Sequence, residues 1–252
     1  MLDLTTDIII RRYQEGDEYQ INELFNTVFH QRRSLEEWQW KFKKSPFGAS
    51  IIFVAEQKRQ IVSHIASIPV KIKIGKNIFT CYQSLDAMVI PHFEAQWVFS
   101  KVFRAIQNEI NRINQMHLGF PHKKAHDIET KRLGVISVGK VDLFTLPIAR
   151  NVLETQGTSD RPYKITEIKY FDQRFDDLWV RMADVYPVVF VRNQAYLNWR
   201  YVQDPNRRYR FLYLETEKGI VGYSVLKMNK VKEQTVGYIV DFFAEQEESI
   251  VM

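Results

Sequence analysis

Carboxylates, histidines and one cysteine are the groups in this chain that could do chemistry, and their spacing limits what each could do. Asp86 lies inside an apolar run, flanked by Leu85 and Ala87. It is a candidate general base or, equally, a structural carboxylate bonding a neighbouring loop. Glu56 ends another apolar run and is the weaker base candidate, since a carboxylate at a strand end is ordinarily solvated. Cys81 lacks the His–Asn or His–Asp companions that would make it a nucleophile, so it reads as a packed strand cysteine. His122 and His126 are four apart, with Asp127 adjacent and His117 upstream, which would put two imidazoles on one helical face. No HExxH or CxxC pattern accompanies them and Lys123–Lys124 intervene, so no metal site is expected. A basic, histidine-bearing loop is the expected feature there.

These groups hang on residues 80–113. An apolar strand of about 82–90 ends at Pro91 and passes through a short loop into an amphipathic helix. Val98, Val102, Ile106, Ile110 and Ile113 recur at the period of one buried helical face. A strand feeding a helix through a tight loop aims unpaired backbone N–H groups at one point, a geometry suited to phosphate or pyrophosphate.

Upstream, Ile8 to Tyr13 predicts a first strand, and Ile21, Leu24, Phe25, Val28 and Phe29 the apolar face of a first helix. Ser34 followed by Glu37 forms a capping box for a helix carrying Trp38, Trp40 and Phe42. Runs at 51–56, 61–74 and 78–90 predict an antiparallel meander. Downstream come a short strand near 117–120, a helix from Ala125 to Leu133 ending at Gly134, and a strand or strand pair over 135–146. Residues 151–164 lose periodicity and read as a linker between a module at 1–150 and a second at 165–252. In the second, 171–185 predicts a helix, Asn193 caps another through Tyr201, and strands follow near 209–215, 220–228 and 235–243.

The two halves match at an offset of 159 residues. Trp40, Phe42 and Pro46 align with Trp199, Tyr201 and Pro205; Phe53, Glu56 and Ile61–Val62 align with Leu212, Glu215 and Ile220–Val221. Asp86 then falls opposite Asp241 after a register change of four. Together these form a duplication signal, with the second copy stopping short of any phosphate-type helix.

Composition excludes several classes. Hydrophobic content of 45% with 26% charged residues is globular rather than disordered. The net charge of +5 is spread over scattered doublets such as Arg11–Arg12, Arg32–Arg33 and Arg207–Arg208, a solvated surface rather than a nucleic-acid interface. One cysteine excludes an internal disulfide and fits a reducing, cytoplasmic setting. No apolar run approaches the roughly 18 residues of a membrane span. The N-terminus places acids before its apolar stretch, unlike a signal peptide.

The order helix pair, meander, strand into anion-binding helix, short strand, helix resembles the GNAT family of acyl-CoA-dependent N-acyltransferases, tandem type with an incomplete second module. Its local carriers are Ser84-Leu-Asp86-Ala-Met-Val-Ile-Pro91, Leu118-Gly-Phe-Pro121 and Lys131-Arg-Leu-Gly134. The resemblance implies an α/β (α+β) fold with a mixed, mostly antiparallel central sheet flanked by helices, plus a partial second copy. It implies that Ala87, Met88, Val89 and Ile90 would offer backbone groups to the pantetheine of acetyl-CoA. The loop and helix start, with Ala95, Gln96, Trp97, Val98, Phe99 and Ser100, would wrap its pyrophosphate. Glu129 occupies the position where family members often carry an aromatic acid that protonates the departing thiolate, and Asp86 is the base candidate.

The leading function is therefore direct transfer of an acyl group, acetyl first, to a small-molecule primary amine in a ternary complex. Glu94 replaces the usual basic or amide residue of the phosphate loop, and Ala95 and Trp97 replace usual glycines. Those changes support a second reading, a catalytically silent GNAT-like scaffold that binds a protein partner or its own copy.

Overall fold

The computed structural model describes residues 8–91, 95–145, 164–206, 208–217 and 219–245. The first sheet contains β1 (Ile9–Arg12), β2 (Ile51–Gln57), β3 (Gln60–Ile74), β4 (Asn77–Val89) and β5 (Met116–Leu118), in that order. All its neighbours are antiparallel except β4 and β5. Helices α1 (Asp17–Phe29) and α2 (Leu35–Lys43) cover one face. Helix α3 (Ala95–Arg112) covers the other, and α4 (Lys123–Arg132) adds Ile128 to that layer.

Strand alternation sorts the two layers. On β2, Ile51 and Ala55 face α3, whereas Ile52 and Val54 face α1 and α2. Val98, Val102, Ile106 and Ile110 of α3 are fully buried, as their period predicts, and each contributes about 1.5–3 kcal/mol of burial. Ser34 caps α2 by accepting from the Glu37 N–H at 3.1 Å. Trp38, Trp40 and Phe42 then enter the core.

A second sheet follows the order β10 (Gln234–Ala244), β9 (Gly219–Val231), β8 (Tyr209–Thr216), β6 (Lys164–Ile168). Helix α5 (Arg174–Ala183) packs Phe175 and Leu178 against it. Asn193 caps α6 (Gln194–Leu197) by accepting from Tyr196 N–H at 3.0 Å, and a π-helical turn continues it over Asn198–Val202.

Three expectations change. The run over 135–146 forms no strand within its described residues, 135–145. Val138, Leu143 and Phe144 there are almost wholly exposed. Strand β7 (Val188–Phe190) was not foreseen, and it joins the first sheet by pairing with Ile72–Ile74 of β3. The second half thus lends a strand to the first sheet, so the expected boundary between 1–150 and 165–252 does not separate the sheets cleanly. Most of the expected linker lies outside the described residues, and Lys164 already belongs to β6. No helix among the described residues is long and apolar enough to cross a membrane.

Trp40 and Trp199 join the halves reciprocally. Trp40 Nε1 donates to the Trp199 carbonyl at 2.7 Å, and Trp199 Nε1 donates to the Trp40 carbonyl at 3.1 Å. The rings stand 5.7 Å apart.

Candidate active site

Strand β4 is where the first sheet opens. β5 runs parallel to it only across Cys81–Gln83, and beyond Gln83 no strand among the described residues pairs with that flank of β4. β4 also bends there. Leu85 pairs with Ala66 and Met88 with His64, so Asp86 and Ala87 together oppose the single residue Ile65. This is a β-bulge, and Asp86 takes a left-handed backbone with φ 50° that a non-glycine residue adopts at a cost.

Buried polar groups hold the bulge. The Asp86 carboxylate pairs with the Arg33 guanidinium and with Lys41 Nζ at 2.8 Å. Burial alone would raise its pKa, but Lys41 and Arg33 outweigh burial and hold the carboxyl below its ordinary value. Arg33 lies 3.8 Å over the Phe25 ring and donates through Nε to Asn22 at 2.7 Å. The Asp86 carbonyl accepts from His64 Nδ1 at 2.9 Å, which requires the proton on that nitrogen. His64 is fully buried, and burial pushes its pKa down to about 4.

This arrangement weighs against Asp86 as a base. Two cations depress its basicity, the opposite of what a base at neutral pH needs, and favour the structural alternative. Glu56 is likewise not simply solvated, since Arg11 Nε donates to it at 2.7 Å. Arg33, counted among surface doublets, is instead a core residue.

The expected donor-side residues divide. Ala87 is exposed at the bulge, the Met88 side chain is buried, and Val89 is half-buried. The N–H of Ile90 is already given to the Val62 carbonyl at 2.8 Å. Phe93 and Glu94 lie outside the described residues, and Ala95 is the first residue of α3. Val98 and Phe99 are buried beneath α3, so only their backbones could meet a ligand. Ser100 Oγ donates to the Gln96 carbonyl at 2.7 Å. Trp97 is exposed with Lys101 Nζ 5.4 Å from its ring, outside the core under the helix.

A groove of about 460 Å³ joins the start of α3 to α4, lined by Gln96, Lys123, Lys124, Asp127, Ile128, Lys131 and Arg132. Asp127 is taken by Lys123 at 3.3 Å and Lys131 at 3.9 Å. Gln96 Oε1 accepts from Arg132 at 3.2 Å. Four cations beside the positive end of a helix make this groove attractive to phosphates. Glu129, on the same helix, is buried, and burial pushes its carboxyl up to about 7. A carboxyl that still holds its proton near neutrality can act as an acid. Asp86 and Glu129 are not brought together: the first turns to the α1–α2 layer, the second rides on α4.

Sequence reasoning missed a polar cluster where β4 and β5 begin to part. His117 Nε2 lies 2.6 Å from Ser84 Oγ and 3.3 Å from Ser67 Oγ, beneath the Phe103 ring. Burial pushes His117 down to about 4, so it is a neutral hydrogen-bonding partner. Its strand register was the available signal. Cys81 is buried and its thiol is pushed up to about 11, consistent with an unreactive packed residue. His122 caps α4 and His126 Nε2 lies 3.1 Å from Ser137 Oγ, and no metal-ligating cluster occurs among the described residues.

Residues 9–121 match the family model described as an acetyltransferase (GNAT) domain. That segment runs from β1 to just beyond β5 and includes the bulge. No curated protein matches the sequence. Among solved structures, a conserved protein of unknown function from Enterococcus faecalis V583, described as a probable N-acyltransferase, is similar with a TM-score of 0.69. The match covers 97% of this chain and 60% of that one at 9% identity. Saccharomyces cerevisiae N-myristoyltransferase with bound myristoyl-CoA is similar at 0.56, over 96% of this chain and 64% of that one, with 13% identity. A second structure of the yeast enzyme gives 0.57 at 11% identity, over 95% and 66%. At such identities the likeness is one of fold: a mixed α/β architecture of mostly antiparallel sheets flanked by helices. The chain spans between 60% and 66% of the length of these structures.

Proposed function

We propose that the chain is an acyl-CoA-dependent N-acyltransferase that passes an acyl group, acetyl in the first instance, directly to an amine. The observation that carries this reading is the open flank of β4 beside the cationic groove at the start of α3. An extended pantetheine arm could add to that flank through backbone hydrogen bonds. Lys123, Lys124, Lys131 and Arg132 would take the phosphates. Trp97 is exposed and stands outside the core under α3. Glu129 is the proposed acid for the departing thiolate. Asp86 is proposed as the anchor of the bulge, which keeps β4 bent away from β5.

A cavity of about 360 Å³ on the α2 side of β4 is the proposed acceptor pocket. It is lined from the first half by Trp40, Lys41, Gln83 and Leu85 and from the second by Tyr196, Trp199, Arg200 and Lys227. It meets β4 where the strand's other side opens, which would bring amine and thioester together across one strand. A cytoplasmic setting is part of this proposal, as is the reading of the second half as a second copy of the module. The copy reading is supported by matching bulges: Val62 is the extra residue opposite Ala55–Glu56, and Val221 the extra residue opposite Leu214–Glu215.

Calorimetric titration with acetyl-CoA and with 3′-dephospho-CoA tests the proposal. Micromolar binding that weakens when the 3′-phosphate is absent is expected. No heat, with an unchanged melting temperature at millimolar acetyl-CoA, would sink the enzyme and leave the silent scaffold with its protein partner.

A further inference from the structure

The charges in the pocket between the halves are not equivalent, and their bonding sorts them. Lys41 is held by Asp86 at 2.8 Å. Glu37 accepts from the Asn206 side-chain amide, and Asp204 Oδ1 accepts from the Asn206 backbone N–H at 2.9 Å. Arg200 lies 6.0 Å from the Trp40 ring and 5.3 Å from the Tyr201 ring, beside Tyr196 and Tyr209. Lys227, opposite Tyr209 on the neighbouring strand, has no side-chain hydrogen bond or ion pair among the described residues. Both carboxylates keep their charge but are hydrogen-bonded at Asn206, and Asp204 also acts on Arg200 electrostatically. The Lys227 ammonium has no partner among the described residues, and the Arg200 guanidinium has donors to spare. Both cations come from the second half. The facing wall is β3 and β4, where Ile68, Val70 and Leu85 are apolar.

From this polarity we infer that the acceptor amine carries a carboxylate of its own, read by Lys227 with Arg200, and an apolar or aromatic body lying against the tryptophans. An amino-acid-like molecule would place its carboxylate at the second sheet and its amine at β4. The inference rests on the proposed acyl transfer for the word acceptor, but the pocket's preference for a carboxylate is measurable without any donor.

Calorimetry with paired probes, phenylalanine against phenethylamine and tryptophan against tryptamine, tests it with no CoA present. The expected result is at least tenfold tighter binding of the carboxylated member of a pair. That preference should fall to about twofold or less in Lys227→Met and be restored in Lys227→Arg. Equal or tighter binding of the decarboxylated members overturns the inference, as does a preference that survives Lys227→Met. Failure of every probe in a protein that still binds acetyl-CoA also overturns it, and leaves the transferase standing. A carboxylate preference in a protein that ignores acetyl-CoA upholds the pocket and removes the transferase.

Discussion

Asp86 and Asp241 stand at bulges in β4 and β10, and each is held by an arginine that directly precedes the N-cap of a helix. Arg33 precedes Ser34, and Arg192, which donates to Asp241 at 3.0 Å, precedes Asn193. In β10 the extra residue is Val240, since Ile239 pairs with Leu226 and Asp241 with Val225. The partners differ. Asp86 takes a second cation, Lys41, whereas Asp241 takes the hydroxyls of Tyr201 and Tyr223, each at 3.2 Å. Asp86 has a positive φ and Asp241 does not. The larger difference lies around the strand: β4 has α3 after it, a parallel neighbour that parts from it, and a cationic groove nearby, while β10 pairs only with β9 among the described residues. One clamp can therefore bend either strand, and the proposed chemistry belongs to what flanks the bend.

Breaking each clamp gives the largest expected effect. The Arg33 side chain is 1% exposed and the Arg192 side chain 23%, so only Arg192 can turn to water when its carboxylate is lost. Asp86→Ala should cost about 3–5 kcal/mol, the range for stranding one partner of a buried pair. Asp241→Ala should cost less, about 1.5–3 kcal/mol, as for lost hydrogen bonds to a charged group. Urea denaturation of both variants measures the difference, and equal costs would erase the proposed distinction between a dry clamp and a partly wet one.

Acid separates the halves next. His64 on β3 and Tyr223 on β9 lie at the same offset behind their bulges, and only the imidazole titrates in mild acid. The unfolded chain takes up a proton on this histidine near 6.5, the folded chain only near 4. Stability is fully present above pH 6.5 and is lost as pH falls toward 4, by up to about 3 kcal/mol for this group. His117, also pushed down to about 4, acts in the same direction. His64→Gln should flatten the dependence of stability on pH between 6.5 and 4. An unchanged slope in that variant would remove His64 from the account.

Much of this architecture was legible because it is periodic or local. The four-residue recurrence in α3, the Ser34 cap and the polar breaks of the meander each follow from short-range spacing. What escaped depends on partners far away in the chain. Val188–Phe190 is only three residues, and becomes a strand because β2 leaves the last turn of β3's edge unpaired. The apolar alternation over 135–145 looks like a strand but pairs with no neighbour, although β5 is an edge strand among the described residues. Arg33 reads as one of many basic doublets until α1, with Phe25 and Asn22, closes around it. Glu129 was placed by resemblance, whereas the upward push on its pKa is a property of burial, which no pattern of residue types encodes.

The smallest effect sharpens the comparison most, because it tests the symmetry of the contact itself. Trp40 and Trp199 exchange indole-to-carbonyl bonds across the join, 159 residues apart, and both are buried. Each Trp→Phe change removes one donor and leaves one carbonyl short of a partner, at about 1 kcal/mol apiece. Because the bonds are reciprocal, the two single variants should lose equal stability within a few tenths of a kcal/mol. The rings also touch, so the double variant should depart from additivity by about 0.5–1.5 kcal/mol. Unequal singles would mean that one half carries the join, as expected if the second half merely docks on a finished first module. Equal singles with coupling would mean that neither half completes its core alone, which fits a pocket whose walls come from both.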